Sequence, residues 1–285
     1  MKFLCTNEIY PANVVAGIAG LKQAGKSLYA FEQGFLTGGD MLYISTEEGS
    51  DFFLQVWKPV FEKKYNTKPK IHFQYCPNAT DLLAFFGLEG ELRTSVSKDD
   101  KATKMEFQTT KLDIEHSPFV ELVKQTNINY LVVDSVTTAF DALIIGGRQN
   151  YPLRAQLEEV FFSVLNNAIK KSGKDIYIFC TNHLTFNPTN PRVSQYHMVE
   201  EIFQVKGGKM IGHYVKLLYG LEKRERPHGY RYLHVIRYPN IPEFDKSYEL
   251  LITNEGFSNT NKQEIQQIKD NIKKAKEEKK NEDAQ

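Results

Sequence analysis

The chain has 285 residues, of which 41% are hydrophobic and 25% are charged, as is ordinary for a globular protein. Its 36 basic and 35 acidic side chains leave a formal net charge of +1, so any site for a polyanion must be local. No apolar run approaches the ~20 residues that span a bilayer, no signal peptide is visible, and the three cysteines form no C-x-x-C pair. These features predict a cytoplasmic protein with no membrane partner, disulfide framework or zinc site.

The stretch "GLKQAGKS" joins the first predicted strand, "NVVAGIAG", to the first predicted helix, "SLYAFEQGFL". Its G-x-x-x-x-G-K-S spacing is typical of a loop whose backbone N–H groups surround phosphate, with Lys26 reaching the β- and γ-phosphates and Ser27 supplying an oxygen to Mg²⁺. A glycine turn that fits the pattern by chance is the alternative. The residues that the motif assigns to nucleotide binding are Gly20, Leu21, Lys22, Gln23, Ala24, Gly25, Lys26, Ser27 and Leu28.

A second predicted strand, "MLYIS", ends shortly before the acidic pair Glu47 and Glu48. A carboxylate at this position would point into the same crevice, where it would orient or deprotonate the water molecule that attacks the nucleotide. We assign this catalytic role to Glu47. Solvated turn charges are the alternative for both residues.

The segment from 51 to 64 has apolar residues at i, i+1 and i+4, which predicts a helix with one broad apolar face. Pro59 is expected to kink this helix or to end its first part. The strand "KIHFQY" follows, and the polar residues 89–113 lack sustained periodicity, which indicates an inserted hairpin or loop. The residues of the predicted apolar face are Phe52, Phe53, Val56, Trp57, Val60 and Phe61.

Two later predicted strands end in polar side chains. "INYLVVDS" places Asp134 at the carboxyl end of a buried strand, where it would hold a magnesium-bound water beside Ser27, unless it only caps a turn. A helix from about Pro152 to Lys171 separates it from "DIYIFCTN". The residue after this strand, His183, would sense the γ-phosphate, although a lone histidine is more often structural.

The order of the elements predicts the fold class. "KMIGHYVKLLYGLEK", "YRYLHVIRY" and "YELLIT" are expected to be antiparallel strands that close one edge of the sheet. We therefore expect an α/β fold: a mainly parallel sheet flanked by helices, with an antiparallel C-terminal extension. Residues 1–258 form one domain, and 259–285 form a charged, partly helical tail that is either solvated or docked on a partner.

Taken in order, these motifs resemble the core ATPase of the RecA superfamily, and the chain is similar to archaeal RadA paralogs over residues 13–257. "GLKQAGKS" matches the family's phosphate loop, "LYISTEE" its catalytic-glutamate strand and "LVVDS" its magnesium strand, and the ending "PNIPEF…TNEG" is also similar. "TNH" stands where the family has Thr-Asn-Gln. The resemblance implies a RecA-like P-loop ATPase that uses ATP and Mg²⁺, with catalytic residues Lys26, Glu47 and His183 and metal-binding residues Ser27 and Asp134.

The resemblance also implies two DNA-binding loops. Arg148 and Arg154 correspond approximately to the first loop and the helix after it. The second loop would fall between His183 and Gly207, where cationic, polar and aromatic side chains suit single-stranded DNA, although two adjacent glutamates dilute the charge. The residues that we assign to DNA binding are Arg148, Arg154, Arg192, Tyr196 and Lys206.

The sequence departs from the RadA pattern at two places. Only 19 residues precede Gly20, so we expect a paralog without the family's N-terminal domain and polymerisation segment. Where RadA-type sequences have an aspartate that caps the neighbour's ATP, this chain has Arg237. We interpret it as an arginine finger that acts across a subunit interface, with a surface ion pair as the alternative and with Lys223 and Arg224 as competing candidates.

Together these implications predict an ATP-dependent protein that acts on single-stranded DNA in recombination or repair, as a homo-oligomer or with a recombinase partner. A DnaB- or KaiC-like ring ATPase, which shares the same core, is one alternative. A nucleotide-gated assembly protein that makes no DNA contact is the other.

Overall fold

The described part of the chain consists of short apolar strands connected by helices and turns. A computed structural model describes residues 1–96, 103–141, 143, 150–185, 204–205, 214–223, 229–239, 241, 246–260, 266–267 and 270. The elements in chain order are β1 (Val15–Gly20), α1 (Lys26–Gly34), β2 (Asp40–Ser45), α2 (Ser50–Tyr65), β3 (Ile71–Tyr75), α3 (Ala79–Phe85), β4 (Leu88–Val96), β5 (Thr103–Leu112), α4 (Pro118–Gln125), β6 (Ile128–Asp134), α5 (Val136–Asp141), α6 (Tyr151–Ser172), β7 (Tyr177–Thr185), β8 (Gln204–Val205), β9 (Leu217–Lys223), β10 (Tyr230–Arg237), β11 (Ser247–Thr253) and β12 (Gly256–Asn259).

One large sheet organises the described residues, with its strands in the order β12-β11-β10-β9-β1-β7-β6-β2-β3. Strands β9, β1, β7, β6, β2 and β3 run parallel, and β1 is buried along its whole length because helices or chain segments cover both faces. In register, Gly20 pairs with His183, and Ser45 pairs with Asp134. The carboxyl ends of β1, β2, β6 and β7 therefore meet at one edge of the sheet.

Two hydrophobic cores lie on the opposite faces of this sheet. Side chains alternate between the faces along each strand, so that Val132 packs in the core with α1 and α2 while Val133 packs in the core with α3 to α6. Phe3 and Tyr10 are buried in the first of these cores, a contribution from the N-terminal segment that the sequence did not predict. The α/β fold class that we expected is confirmed. None of the described helices has the length and apolar composition needed to cross a membrane.

The C-terminal strands differ from the prediction in one respect. Strands β10, β11 and β12 are antiparallel, as expected, but β9 runs parallel to β1 and only its other edge pairs antiparallel, with β10. The three predicted C-terminal strands are therefore each antiparallel to the next, as expected, and the first of them, β9, also belongs to the parallel part of the sheet. Residues Leu217–Glu222 are all buried, as befits a central strand, and hydrophobic alternation carries no information about strand direction.

Helix α2 also differs from its predicted form. It continues through Pro59 without a break, and its fully buried residues are Leu54 and Phe61. Phe52 is 69% exposed and Val56 is 47% exposed, so these two members of the predicted apolar face lie outside the core. The sequence placed the helix correctly, and the other four residues of the predicted face, Phe53, Trp57, Val60 and Phe61, do pack in the core.

The polar segment predicted as a hairpin or loop is a hairpin. Strands β4 and β5 pair antiparallel from Leu88 opposite Leu112 to Val96 opposite Thr103. Leu92 and Phe107 face each other across this pair and pack against the core that contains α6. The hairpin is thus a two-stranded addition to one face of the main fold.

Candidate functional site

A cavity of about 900 Å³ opens at the edge where the carboxyl ends of the parallel strands meet. Its lining includes every residue that the phosphate-loop motif assigns to nucleotide binding except Ala24. It also includes Glu47, just after β2, Asp134, the last residue of β6, and His183, near the end of β7. The volume lies in the range of ~300–1,000 Å³ that small-molecule pockets occupy. The structure therefore brings the predicted catalytic, metal-binding and nucleotide-binding residues to one cavity.

Two glycines shape the loop between β1 and α1. Gly25 has a φ of +106°, a left-handed conformation that side chains rarely adopt. Gly20 lies so close to the neighbouring strand that a β-carbon there would be 2.7 Å from the carbonyl oxygen of Leu221. The loop therefore needs glycine at both fixed positions of the motif, one for its backbone conformation and one for its packing.

The amino end of α1 is suited to an anion. No side chain caps the helix, so its first N–H groups and the positive end of its dipole are left for a ligand at the cavity. Lys26 Nζ donates a hydrogen bond of 2.9 Å to the carbonyl oxygen of Leu21. Burial lowers the pKa of Lys26 to about 8, against the opposing effect of Asp134 and Glu47. A polyanion in the cavity would favour the charged amine and reverse this shift.

Asp134 is held from two sides by hydroxyl groups. Tyr43 donates a hydrogen bond to its Oδ2 atom, and Thr181 donates one to its Oδ1 atom. Burial and the neighbouring Asp134 raise the pKa of Tyr43 well above its usual value, so the phenol keeps its proton and remains a donor. The carboxylate is 6% exposed and still lines the cavity. Its orientation is thus fixed by groups from β2 and β7.

The oxygen atoms at this place are of the kind that bind Mg²⁺. Within the described ranges, no group of three or more His, Cys, Asp or Glu residues is arranged to hold a metal ion. Ser27 and Asp134 both line the cavity and offer a hydroxyl and a carboxylate oxygen. Mg²⁺ commonly takes one or two such protein ligands and completes its shell with water and phosphate oxygens. The residues fit Mg²⁺ held jointly with a nucleotide.

Glu47 lies in a short chain of hydrogen bonds across the cavity edge. Thr138 Oγ1 donates to Glu47 Oε1 at 3.1 Å, and Ser135 Oγ lies 2.6 Å from Thr138 Oγ1. His183 Nε2 lies 3.4 Å from the same Glu47 oxygen, and the backbone N–H of His183 donates to Thr137 Oγ1. The hydrogen bond from His183 lowers the pKa of Glu47, and the bond from Thr138 adds to this effect against partial burial. Glu47 is therefore an ionised acceptor at neutral pH.

The adjacent Glu48 is placed differently. It is exposed and does not line the cavity. Its neighbour Glu47 lines the cavity and is hydrogen-bonded to groups from α5 and β7. The geometry therefore favours Glu47 over Glu48 as the carboxylate that contacts a bound ligand.

Arg154, which we expected to contact DNA, is buried in an ion-pair network. It is 5% exposed, its Nε donates to Glu158 at 2.8 Å, and its Nη1 lies 3.3 Å from Asp141 Oδ1. A guanidinium in this position does not reach a phosphate backbone, so the structure argues against our assignment of Arg154. The other residues assigned to DNA binding lie outside the described ranges: Arg148, Arg192, Tyr196 and Lys206.

The candidates for an arginine finger are spread over two strands. Arg237 is the last residue of β10 and lies opposite Leu218, near the beginning of β9. Its Nη1 donates a hydrogen bond of 3.4 Å to the carbonyl oxygen of Val215. This end of the strands lies away from the phosphate loop of the same chain. Lys223 ends β9 at the same edge as the cavity. Arg224 lies outside the described residues. Neither Arg237 nor Lys223 lines the cavity of its own chain.

Sequence reasoning missed several residues that support the site. Tyr43 and Thr138 lie in segments that were interpreted only as apolar or connecting, and Arg231 lies in a strand far along the chain. Thr181 was recognised as a hydrogen-bonding residue at the end of a strand but was given no partner. One signal was available: an uncharged polar residue two positions before His183 in an otherwise apolar strand indicates a buried hydrogen-bond partner. No comparable signal exists for Tyr43.

Comparisons with known proteins identify the fold. No protein-family model matches the sequence, and no curated protein matches it. The crystal structure of the RadB recombinase is among the solved structures that match, with 17% sequence identity, a TM-score of 0.54 and coverage of 88% of this chain and 93% of that chain. At this identity the likeness is one of fold. The chain therefore has an α/β fold with a RecA-like structural neighbour, as its resemblance to the RecA superfamily implied.

Proposed function

We propose that the chain binds ATP in the cavity at the carboxyl edge of the sheet and hydrolyses it to ADP and phosphate. The observation that carries this proposal is the convergence of Lys26, Glu47 and Asp134, from three separate segments, on one cavity lined by the phosphate loop. An uncapped helix, a buried lysine and a left-handed glycine favour a polyphosphate over an uncharged ligand.

Each residue of the cavity has a separate role in the proposed hydrolysis of ATP. The loop N–H groups and Lys26 bind the β- and γ-phosphates, while Ser27 and Asp134 would hold Mg²⁺, which neutralises phosphate charge when it is bound. Glu47 accepts a hydrogen bond from the attacking water and orients it, because its lowered pKa keeps it ionised. His183 contacts Glu47 and so connects the occupancy of the γ-phosphate position to strand β7.

We further propose that ATP turnover serves binding to single-stranded DNA in recombination or repair, in a homo-oligomer or beside a recombinase. The fold likeness to a protein called a recombinase supports this assignment. The composition of residues 184–206, with Arg192, Tyr196 and Lys206, suits the tracking of a single strand. Strand β7, which ends beside His183 and the cavity, leads directly into this segment.

A nucleotide-gated assembly protein without DNA contact is the second candidate. The burial of Arg154 between Asp141 and Glu158 favours it, because this arrangement removes one of the cations that DNA binding would use. In this alternative the same cavity binds ATP, and binding or hydrolysis of ATP changes the affinity of the chain for a protein partner.

Two measurements separate these functions. The first is the ATPase rate with and without single-stranded DNA in the presence of Mg²⁺, for which we expect hydrolysis that DNA stimulates. The second is a titration with a labelled oligonucleotide and a non-hydrolysable ATP analogue at several salt concentrations. Binding that weakens with salt supports the DNA proposal. Hydrolysis with no saturable DNA binding at low salt would establish the assembly protein instead, and absence of both nucleotide binding and hydrolysis would refute the ATPase.

The same titration tests single residues of the DNA segment. Arg192→Ala and Lys206→Ala should each weaken binding and lower the salt slope by about 1, since each removes a phosphate contact and its counterion release. Tyr196→Ala should weaken binding by ~1–3 kcal/mol without a change in slope, because base stacking releases no ions. Unchanged affinity in all three variants contradicts the assignment of this segment.

A further inference from the structure

Arg231 of β10 is a buried cation that contacts the phosphate loop from the side away from the cavity. It is 6% exposed, and its Nε donates a hydrogen bond of 2.6 Å to the carbonyl oxygen of Ala24. Its Nη1 donates to the carbonyl oxygen of Tyr230 at 2.8 Å. Across the described ranges, no carboxylate lies within ion-pair distance of this guanidinium. An arginine stays protonated even where burial lowers its pKa, as it does here.

The contact fixes the direction of one peptide group in the loop. In a planar trans peptide the carbonyl of one residue and the N–H of the next point in opposite directions. Arg231 holds the carbonyl of Ala24 toward β10, so the N–H of Gly25 is directed to the other side. Ala24 is fully buried and Gly25 lines the cavity, which places that N–H on the ligand side.

Gly25 makes such an external restraint necessary. Glycine adopts left-handed and right-handed backbone conformations with similar ease, so its φ of +106° is not enforced by its own sterics. The bond from Arg231 is the contact made by the Ala24 carbonyl itself, so its loss makes it easier for the peptide between Ala24 and Gly25 to rotate and present a carbonyl oxygen to the ligand. An oxygen in that position repels phosphate.

We propose that Arg231 is a positioning residue of the nucleotide site, which sets the Ala24–Gly25 peptide so that its N–H faces the phosphates. This inference rests on the proposed binding of a nucleotide polyphosphate. The guanidinium has a second effect in the same direction: it is a buried positive charge without a carboxylate partner among the described residues, so a polyanion in the adjacent loop supplies its counter-charge. Arg231 contacts the loop backbone and acts on the ligand through it.

The test compares ADP affinity in Arg231→Met, Arg231→Lys and the unchanged protein, measured by calorimetry with ADP and Mg²⁺. Methionine keeps an unbranched apolar side chain as far as the position of Nε but removes the donor and the charge, and we expect its ADP affinity to fall about tenfold to a hundredfold. Lysine keeps the charge and a donor, and we expect it to recover most of the affinity. Arg231→Gln replaces the methionine variant if the latter does not fold.

A matched control separates positioning from general destabilisation. Leu233 lies two residues further along β10, is fully buried and has an apolar side chain that cannot donate a hydrogen bond to the loop carbonyls. Leu233→Ala should therefore lower the melting temperature and leave ADP affinity unchanged. Equal losses of affinity in Leu233→Ala and Arg231→Met would overturn the inference, as would unchanged affinity in Arg231→Met. If the unchanged protein binds no ADP, the proposed function itself fails. Binding that only Arg231 variants lose, and that lysine restores, supports the positioning role.

Discussion

The two sides of the phosphate loop are built from different parts of the chain. The front, formed by Gly25, Lys26 and Ser27, faces the cavity and belongs to a short motif that is visible in the sequence. The back is packed by β9 to β12, whose residues stand about 200 positions later: Leu221, Arg231, Ile252 and Phe257. The residues of the front supply the groups that contact a ligand, whereas those of the back hold the loop backbone in its conformation. A motif therefore reports which atoms meet a ligand but not what holds them in place.

The largest expected effect is at the front. Lys26→Ala removes the only side-chain cation of the motif that is buried at the cavity, and we expect loss of ATP hydrolysis by a factor of about 10³ or more. Among the described residues, the one hydrogen bond that the Lys26 amine donates is to the carbonyl oxygen of Leu21, so the melting temperature should change little. Lys63→Ala, at an exposed position of α2, is the control. Hydrolysis at the normal rate in Lys26→Ala would show that the loop is only a turn.

A smaller loss is expected for the carboxylate that lines the cavity. Glu47→Gln keeps the shape of the side chain but loses its negative charge and most of its basicity, so turnover should fall by about 10² while ATP binding persists. Two quantities are measured: the steady-state rate of ATP hydrolysis and the affinity for a fluorescent ATP analogue. Glu48→Gln provides the matched control, since that residue does not line the cavity. Equal losses in both variants would contradict the assignment of Glu47.

A smaller but measurable effect on ATP hydrolysis is expected at Tyr43, to which no sequence motif assigns a role. Tyr43→Phe removes the hydroxyl that donates to Asp134, and we expect the Mg²⁺ concentration for half-maximal ATPase to rise about tenfold. Tyr10→Phe is the control, because that buried hydroxyl has no hydrogen-bond partner within the described residues and lies away from the cavity. An unchanged Mg²⁺ requirement in Tyr43→Phe would show that Asp134 does not depend on this support.

Where apolar side chains pack the back of the loop, a substitution should lower stability more than it lowers nucleotide affinity. Phe257 is 1% exposed and packs edge-on against Tyr29 of α1, with ring centroids 5.4 Å apart. Phe257→Ala should lower the free energy of unfolding by about 3–5 kcal/mol and nucleotide affinity by less than tenfold. Phe52→Ala, at a largely exposed position, should change stability by no more than about 0.5 kcal/mol. If Phe257→Ala keeps its stability and loses nucleotide binding, the division between front and back is wrong.

The limits of prediction follow the same division. The fold class and the meeting of Glu47, Asp134 and the phosphate loop at one edge were predictable, because each follows a strand in a pattern of alternating strands and helices. The direction of β9 was not, since both faces of that strand are buried whichever way its neighbours run. The exposure of Phe52 was also unpredictable, because it depends on how α2 is rotated against the sheet.

Long-range partners were the second limit. The role of Arg231 could not be predicted from the sequence. Its hydrogen bond is to the backbone carbonyl of Ala24, which is remote in sequence, and a residue of any type at that position would have the same carbonyl. For Arg154 the charge suggested a polyanion, but its actual partners are two carboxylates. Glu158 is four residues later in the same helix, so this pairing could be predicted, whereas Asp141 becomes a neighbour only in the folded chain. Charge alone identifies a cation but not its counter-ion.

The two hydroxyl groups around Asp134 have a thermodynamic consequence. A side chain that is free in the unbound protein loses rotamer entropy when a ligand orders it, at about 0.5–1.5 kcal/mol for a flexible one. Tyr43 and Thr181 already restrict the carboxylate of Asp134, so that loss is incurred during folding. Glu47 is 53% exposed and held by longer contacts of 3.1 and 3.4 Å, so part of its ordering is left for the moment of binding. The site is accordingly rigid where a metal ion would bind and adjustable where water would attack.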